Sequence, residues 1–74
     1  MASLGQNRVR IGFNPGGNDR VSEIKILSAQ LIDICSTIQG DAVARQDGET
    51  ARLCAHAMTQ FEDACMWAVK AATS

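Results

Sequence analysis

One segment restricts the possible folds more than any other. Residues 64–72, Ala-Cys-Met-Trp-Ala-Val-Lys-Ala-Ala, are apolar around almost the whole circumference of a helix, and only Lys70 interrupts them. A helix that is apolar on every side needs neighbours on every side. A chain of 74 residues forms one small domain, which buries a limited fraction of its surface. Such scaffolds usually gain stability from disulfides, a metal or oligomerisation.

Of these three, the sequence favours oligomerisation. Cys35, Cys54 and Cys65 are odd in number and lack the spacing of a disulfide framework. The first residues contain no apolar signal core, so we expect an intracellular chain with reduced thiols. His56 is the only histidine, and Cys54, two residues earlier, points to a different face of a helix. We therefore predict a homo-oligomer with no metal and no cofactor.

The first of two long predicted helices begins at Asn18 or Asp19, both good N-caps. Gly40 is its predicted stop. Ala29 and Ile32 lie beside the main apolar stripe, so a second face is also partly apolar. The stripe has spacings of three and four and is the face that we expect to be buried: Val21, Ile24, Leu27, Leu31, Ile34 and Ile38.

The second predicted helix runs from Gly48 or Glu49 to about Ala72, after a connection at residues 39–48. Asp47 is its expected N-cap. Alanine is frequent in this helix and favours both helix formation and close helix packing. The predicted fold is therefore all-α, with two main helices in a small protomer that assembles as a homo-oligomer.

Residues 1–17 are predicted to be an irregular N-terminal segment, and residues 18–74 a helical oligomerisation and ligand-binding domain, in a single domain overall. Val9, Ile11 and Phe13 alternate with arginine and glycine, which predicts a short extended stretch. Asn14-Pro-Gly-Gly-Asn18 is a dense cluster of turn residues. Free backbone N–H groups before a helix favour an anion, although an ordinary turn with a cap explains this pattern as well.

The charge balance excludes some classes of partner. Seven Lys and Arg against eight Asp and Glu give a net charge of −1, whereas proteins that bind long nucleic acids usually show a basic excess. No apolar run approaches the roughly 18 residues that span a membrane. We therefore expect no long nucleic acid and no membrane as partners, whereas a small anion held by a few local cations is compatible with the charge.

No arrangement typical of an enzyme is present. His56 has no nucleophile or acid near it in sequence, and neither the cysteines nor Glu62 and Asp63 show a catalytic spacing. Isolated residues without a positioned partner rarely form a catalytic site. We therefore predict no catalytic residues, and small core positions for the cysteines.

Three residues of the N-terminal segment, together with Lys25 of the first predicted helix, form a better candidate for ligand binding. The ring of Phe13 offers a base a stacking surface, and Arg8, Arg10 and Lys25 offer cations to phosphates. The pattern fits equally well a Phe13 that packs as a lid on the first helix beside solvated cations. In the second helix, Glu62, Trp67 and Lys70 are better explained by a buried tryptophan and interface ion pairs. The predicted oligomer interface comprises Phe61, Ala64, Trp67, Ala68 and Lys70.

Three segments resemble a family of short phage proteins, the anti-CBASS sponges that sequester cyclic oligonucleotide signals. They are Arg-Ile-Gly-Phe13-Asn14-Pro15, the Ile24-Lys25 pair and, most specifically, Glu62-Asp-Ala-Cys-Met-Trp-Ala-Val-Lys-Ala71. The resemblance covers roughly residues 10–40 and 49–73, and the connection carries none of it.

The resemblance implies a compact helical protein that assembles as a homohexamer and acts in the cytoplasm of the infected bacterial host. It implies binding of cyclic dinucleotides, and in some members cyclic trinucleotides, between protomers and without cleavage, which blocks the effector that kills the cell. The stacking aromatic falls on Phe13 and the phosphate-binding lysine on Lys25, with Asn14, Pro15, Arg8 and Arg10 completing the expected ligand-binding set. The alternative is a small helical structural or protein-interaction adaptor with no nucleotide ligand.

Overall fold

The computed structural model describes all 74 residues and contains three helices and no strand, which confirms the all-α class. Helix α1 spans Leu4–Arg8, α2 spans Asp19–Ala44 and α3 spans Gly48–Ala72. Helices α2 and α3 form an antiparallel hairpin, and α1 lies on α2. The protomer measures 44 × 25 × 12 Å, so it is one helix layer thick. None of its helices combines the length and the apolarity that crossing a bilayer requires.

Helix α1 lies in the segment that the sequence predicted as irregular. It is fixed by a capping box, in which the Gln6 backbone N–H donates to the Ser3 hydroxyl and the Ser3 N–H donates to the Gln6 side chain. The Gly5 N–H donates to the Asp33 carboxylate at 2.7 Å. A Cβ atom on Gly5 would lie 2.1 Å from the Ala29 carbonyl oxygen. Glycine therefore allows α1 to lie directly on the backbone of α2.

The extended stretch predicted for Val9, Ile11 and Phe13 is wrong. The chain turns there, with the Ile11 N–H donating to the Gln6 carbonyl at 3.0 Å and the Phe13 N–H donating to the Arg10 carbonyl at 2.8 Å. Arg10 has a φ of +56°. An isolated extended stretch has no strand to pair with in this protein, whereas the turn satisfies its own backbone groups.

The predicted caps of the long helices are confirmed, and one predicted stop is wrong. The Asn18 side chain accepts from two backbone N–H groups at the start of α2, and the Asp47 side chain accepts from Thr50 N–H at the start of α3. Gly40 does not end α2, which continues to Ala44. A glycine inside a helix costs only about 1 kcal/mol, and packing against α3 outweighs that cost.

The face of α2 that packs on α3 differs from the predicted one. The buried core consists of Val9, Ala29, Ile32, Met58 and Cys65, and Val21 is the only member of the predicted stripe that is fully buried. Leu27, Leu31, Ile34 and Ile38 are 43–58% exposed in the protomer. Alanine at the crossing allows close helix contact, which the bulkier stripe does not. Cys54 and Cys65 are buried as expected, whereas Cys35 is partly exposed.

Candidate functional site

Lys25 is the centre of the site, where the turn after α1 meets α2. Its side chain lies in the body of the protomer, and the residue is only 6% exposed. Its Nζ donates to the carbonyl oxygens of Arg10 and Phe13, at 3.0 and 2.5 Å. No carboxylate forms an ion pair with it. A buried ammonium group balanced only by carbonyl dipoles leaves a positive potential at this end of the hairpin.

The ring of Phe13 lies above this ammonium group and is open to solvent. Phe13 is 56% exposed, its ring centroid lies 5.4 Å from Lys25 Nζ, and the guanidinium carbon of Arg10 lies 4.8 Å from the same centroid. Both distances are typical of cation–π contacts. In the protomer, Phe13 therefore does not pack as a lid on the long helix α2. Phe13 is fixed by its backbone, and its ring faces solvent.

Two open clefts flank this centre, and Lys25 and Val69 line both of them. The first, of about 480 Å³, lies between α1 and α3 and includes Arg8, Arg10 and Glu62 in its wall. The second, of about 500 Å³, lies beside the turn cluster and contains three of the predicted residues: Phe13, Asn14 and Pro15. The structure thus brings the six predicted ligand-binding residues to one end of the hairpin but divides them between two clefts.

Asn14 shapes the loop. Its side-chain oxygen accepts from the Asn18 N–H at 3.1 Å, and its side-chain nitrogen donates to the Asn18 carbonyl at 2.8 Å and to the Ser22 hydroxyl at 2.9 Å. Each polar atom of this amide therefore has a partner inside the protomer. Gly17, with a φ of +62°, supplies the left-handed turn that the loop requires.

Glu62 pairs with a residue that the sequence did not suggest. Its carboxylate lies 3.4 Å from the Arg8 guanidinium, which links α3 to α1. Lys70, which the sequence pattern groups with Glu62 and Trp67, places its Nζ 5.4 Å from the Trp67 ring centroid. The pairing depends on α1, and the sequence contained no signal for that helix beyond the Ser3 and Gln6 spacing of a capping box.

The predicted interface residues of α3 are placed as follows. Phe61 packs against the core cluster, and Ala68 is half-buried. Ala64, Lys70 and Trp67 are exposed, with Trp67 at 62%. The tryptophan is therefore not buried within one protomer. Its neighbour Met66, which the sequence did not single out, is 61% exposed and lines the first cleft.

The side chains that would hold a metal ion are not gathered in this structure. No three His, Cys, Asp or Glu side chains lie close enough to hold a metal ion. His56 is exposed on α3. What the site offers chemically is a flat ring, a buried ammonium group and two guanidinium groups around open clefts.

The fold and this geometry define a small α-helical hairpin protein with an aromatic and cationic surface at one end. The family model described as Acb2/Tad1, hairpin domain, matches residues 5–73, and the chain belongs to that family, the anti-CBASS cyclic-oligonucleotide sponges. The family is one of ligand-binding sponges rather than enzymes. No curated protein and no solved structure is significantly similar to the chain.

Proposed function

We propose that this protein sequesters cyclic dinucleotides, and in addition cyclic trinucleotides, without cleaving them. By lowering the free messenger in the cytoplasm of the infected bacterial host, it prevents activation of the CBASS effector. The observation that carries the proposal is the exposed Phe13 ring next to a buried Lys25 that has no carboxylate partner.

The chemistry of a cyclic dinucleotide fits this arrangement. The ligand presents flat bases and two phosphate charges on a ring. An aromatic platform contributes about 1–3 kcal/mol for each stacked base. An ammonium group has three donors, and the Lys25 Nζ uses two of them on the carbonyls of Arg10 and Phe13. The third donor and the uncompensated charge are available to a phosphate. Arg10 supplies a second unpaired cation nearby, and Arg8 a third that is shared with Glu62.

The proposed ligand contacts are Phe13, Lys25, Arg10 and Arg8, whereas Asn14 and Pro15 hold the loop that presents them. This division follows from the side-chain hydrogen bonds of Asn14, which are complete within the loop. Pro15 lines the second cleft beside Phe13 and supplies apolar surface.

We also propose that the protomers assemble as a homohexamer with ligand sites between them. The exposed stripe of Leu27, Leu31, Ile34 and Ile38 lies on the opposite side of α2 from Lys25 and Ala29. A protomer one helix thick has no second layer to cover it. Contiguous apolar surface of this kind marks an interaction site. A second copy supplies the matching apolar surface, and the exposed Trp67 offers a separate apolar contact on the outer side of α3.

The interface is tested by a charge on the stripe. We expect Ile34→Glu to reduce the mass in sedimentation equilibrium towards that of the monomer, because a buried unpaired charge costs several kcal/mol. Val43 is equally exposed but lies off the stripe, so Val43→Glu is the matched control and keeps the assembly. A folded wild-type monomer at micromolar concentration would refute the assembly.

The ligand is tested by calorimetric titration with cyclic di- and trinucleotides. We expect Phe13→Ala to weaken binding by about 1–3 kcal/mol, whereas Phe13→Tyr retains the stacking ring and binds like wild type. Ligand released by heat should be recovered intact. Linear product would identify an enzyme, and no binding of any cyclic oligonucleotide would contradict the proposal.

A second candidate function has one observation in its favour. The exposed stripe on α2 also fits an adaptor that receives an apolar helix of another protein and binds no nucleotide. A wild-type chain that is monomeric and binds no cyclic oligonucleotide would support that alternative.

A further inference from the structure

The guanidinium group of Arg10 lies where a stacked base is expected. Its central carbon is 4.8 Å from the Phe13 ring centroid. Offset-stacked aromatic rings have their centroids about 4.5–7 Å apart. The side chain of Arg10 therefore occupies the same shell around the ring that a base would enter. On that side of Phe13, arginine and base exclude each other.

Of the two cations over the ring, only Arg10 is free to leave. Lys25 is buried, and its Nζ is held by two carbonyl oxygens, so its departure would open the turn. Arg10 is exposed, and its guanidinium group forms no hydrogen bond and no ion pair within the protomer. Its contact with Phe13 is the one interaction that orients it.

The backbone of Arg10 keeps the side chain at this position. Its φ of +56° is disfavoured for a residue with a Cβ atom. The N–H of Arg10 donates to the Asn7 carbonyl at 3.2 Å, and its carbonyl accepts from the Phe13 N–H at 2.8 Å and from Lys25 Nζ at 3.0 Å. A strained residue held by several contacts is typical of a functional position.

We propose that Arg10 is an exchangeable cover of the ligand site. In the free protein its guanidinium lies over Phe13, and when a base stacks there it moves to a phosphate of the same ligand. This inference rests on the proposed function and adds a rule of selectivity. A ligand that carries a base and a nearby phosphate replaces the contact that Arg10 loses. A neutral nucleoside also displaces the guanidinium from the ring, but it has no phosphate with which the guanidinium could form a new contact.

The test compares a charged and an uncharged ligand on one variant. Asparagine tolerates the left-handed region, so Arg10→Asn keeps the turn and removes the guanidinium. We expect it to bind 3′,3′-cyclic GMP–AMP at least fivefold more weakly than wild type does. The slope of log K against log salt should also fall by about one. Adenosine, titrated by NMR, should bind the variant as well as wild type or about two- to fivefold more tightly, since removal of an exposed cation–π contact changes affinity by that factor.

The matched control removes an arginine from the other end of the hairpin. Arg52→Gln breaks the pair with Glu49 and should change neither titration. If Arg10→Asn weakens both ligands equally, or affects neither, the cover is disproved while the proposed function stands. If wild type binds no cyclic dinucleotide in the same titrations, both proposals fail.

A second measurement follows the arginine directly in the wild-type protein. The Arg10 side-chain protons should show a ring-current shift in the free state that Phe13→Ala abolishes. Saturation with 3′,3′-cyclic GMP–AMP should remove most of that shift. If the shift persists in the complex, Arg10 stays on the ring and the exchange does not occur.

Discussion

The two ends of the helical hairpin use the same backbone device in different ways. The near end carries the candidate site and the turn after α1, and the far end carries the turn between α2 and α3. Each end contains one non-glycine residue with positive φ, Arg10 at +56° in the near end and Gln46 at +59° in the far end. At the far end, the Gln46 N–H donates to the Val43 carbonyl at 3.0 Å and the Asp47 N–H donates to the Ala42 carbonyl at 2.8 Å. These backbone hydrogen bonds of the turn join residues that are close in sequence. At the near end, the turn is tied to Lys25, 15 residues along the chain from Arg10. The far turn connects α2 to α3 by local hydrogen bonds alone. The near turn is held by the side chain of Lys25, and it exposes the side chains of Arg10 and Phe13 to solvent.

The charges differ in the same way. At the far end, Arg45 pairs with Asp47 at 3.4 Å and Arg52 pairs with Glu49 at 2.6 Å. At the near end, neither Lys25 nor Arg10 has a carboxylate partner. Both arginines of the far end are therefore paired, whereas Lys25 and Arg10 at the near end remain available to an anionic ligand. This comparison supports the proposed ligand site at the near end, which the net charge of the chain does not indicate.

The largest expected effect comes from Lys25→Met. The change leaves the Phe13 carbonyl without a donor, at a cost of about 1–3 kcal/mol for the unsatisfied group, and leaves the Arg10 carbonyl with only the Phe13 N–H. It also removes the charge. We expect cyclic dinucleotide affinity to fall by about 100-fold or more in calorimetry. The far-end variant Asp47→Ala, which loses a cap, should bind like wild type. If Lys25→Met binds the ligand like wild type, the near turn does not depend on Lys25, and the contrast between the two ends is wrong.

A substitution in α1 should have the next largest effect. Gly5→Ala places a methyl group against the Ala29 backbone, where no side chain can move aside, and should lower the free energy of unfolding by about 1–3 kcal/mol. Hydrogen exchange should accelerate at residues 9–13. A Cβ atom on Gly12 would meet nothing within 4 Å, so Gly12→Ala is the matched control in the same urea titrations. Unchanged exchange would mean that the turn does not depend on the docking of α1.

Glycine at the far turn should have a smaller effect of opposite sign. Gln46→Gly removes the left-handed penalty of about 1–2 kcal/mol, of which the flexibility of glycine offsets about 0.5–1 kcal/mol. We expect a slightly higher melting temperature and unchanged ligand affinity. Arg10→Gly relieves the same strain but should weaken binding of the cyclic dinucleotide. If both glycine variants bind alike, the two turns do not differ in function.

The smallest effect is a pH dependence at the far end. Hydrogen bonds from the Thr50 hydroxyl and N–H, together with the charge of Arg45, hold the pKa of Asp47 below its ordinary value of 3.8. The folded state then binds fewer protons than the unfolded state, so Asp47 stabilises the fold above about pH 4 and loses this contribution as the pH falls through its folded pKa. In urea titrations, the advantage of wild type over Asp47→Asn should be constant near neutrality and should shrink below about pH 4. A constant difference throughout would show that the charge of Asp47 contributes nothing.

Much of the candidate site could be predicted from the sequence, but its arrangement could not. The association of an aromatic ring with three cations was visible in the residue types, and the family resemblance indicated Phe13 and Lys25. The two hydrogen bonds from Lys25 to carbonyl oxygens were not visible, because they depend on a turn whose position is set by α1. The same dependence explains why the sequence does not indicate the pair of Glu62 with Arg8.

The sequence by itself determined the two long helices and their caps. Asn18 and Asp47 act on N–H groups two or three residues away, so their effect needs no other part of the chain. Only the tertiary structure decided which face of α2 is buried. Two partly apolar faces compete on that helix, and the face with Ala29 and Ile32 is the buried one: α1 lies on the backbone at Ala29, and Ile32 fills the core against Met58 and Cys65. That choice is a property of packing between segments distant in sequence, and no local pattern encodes it.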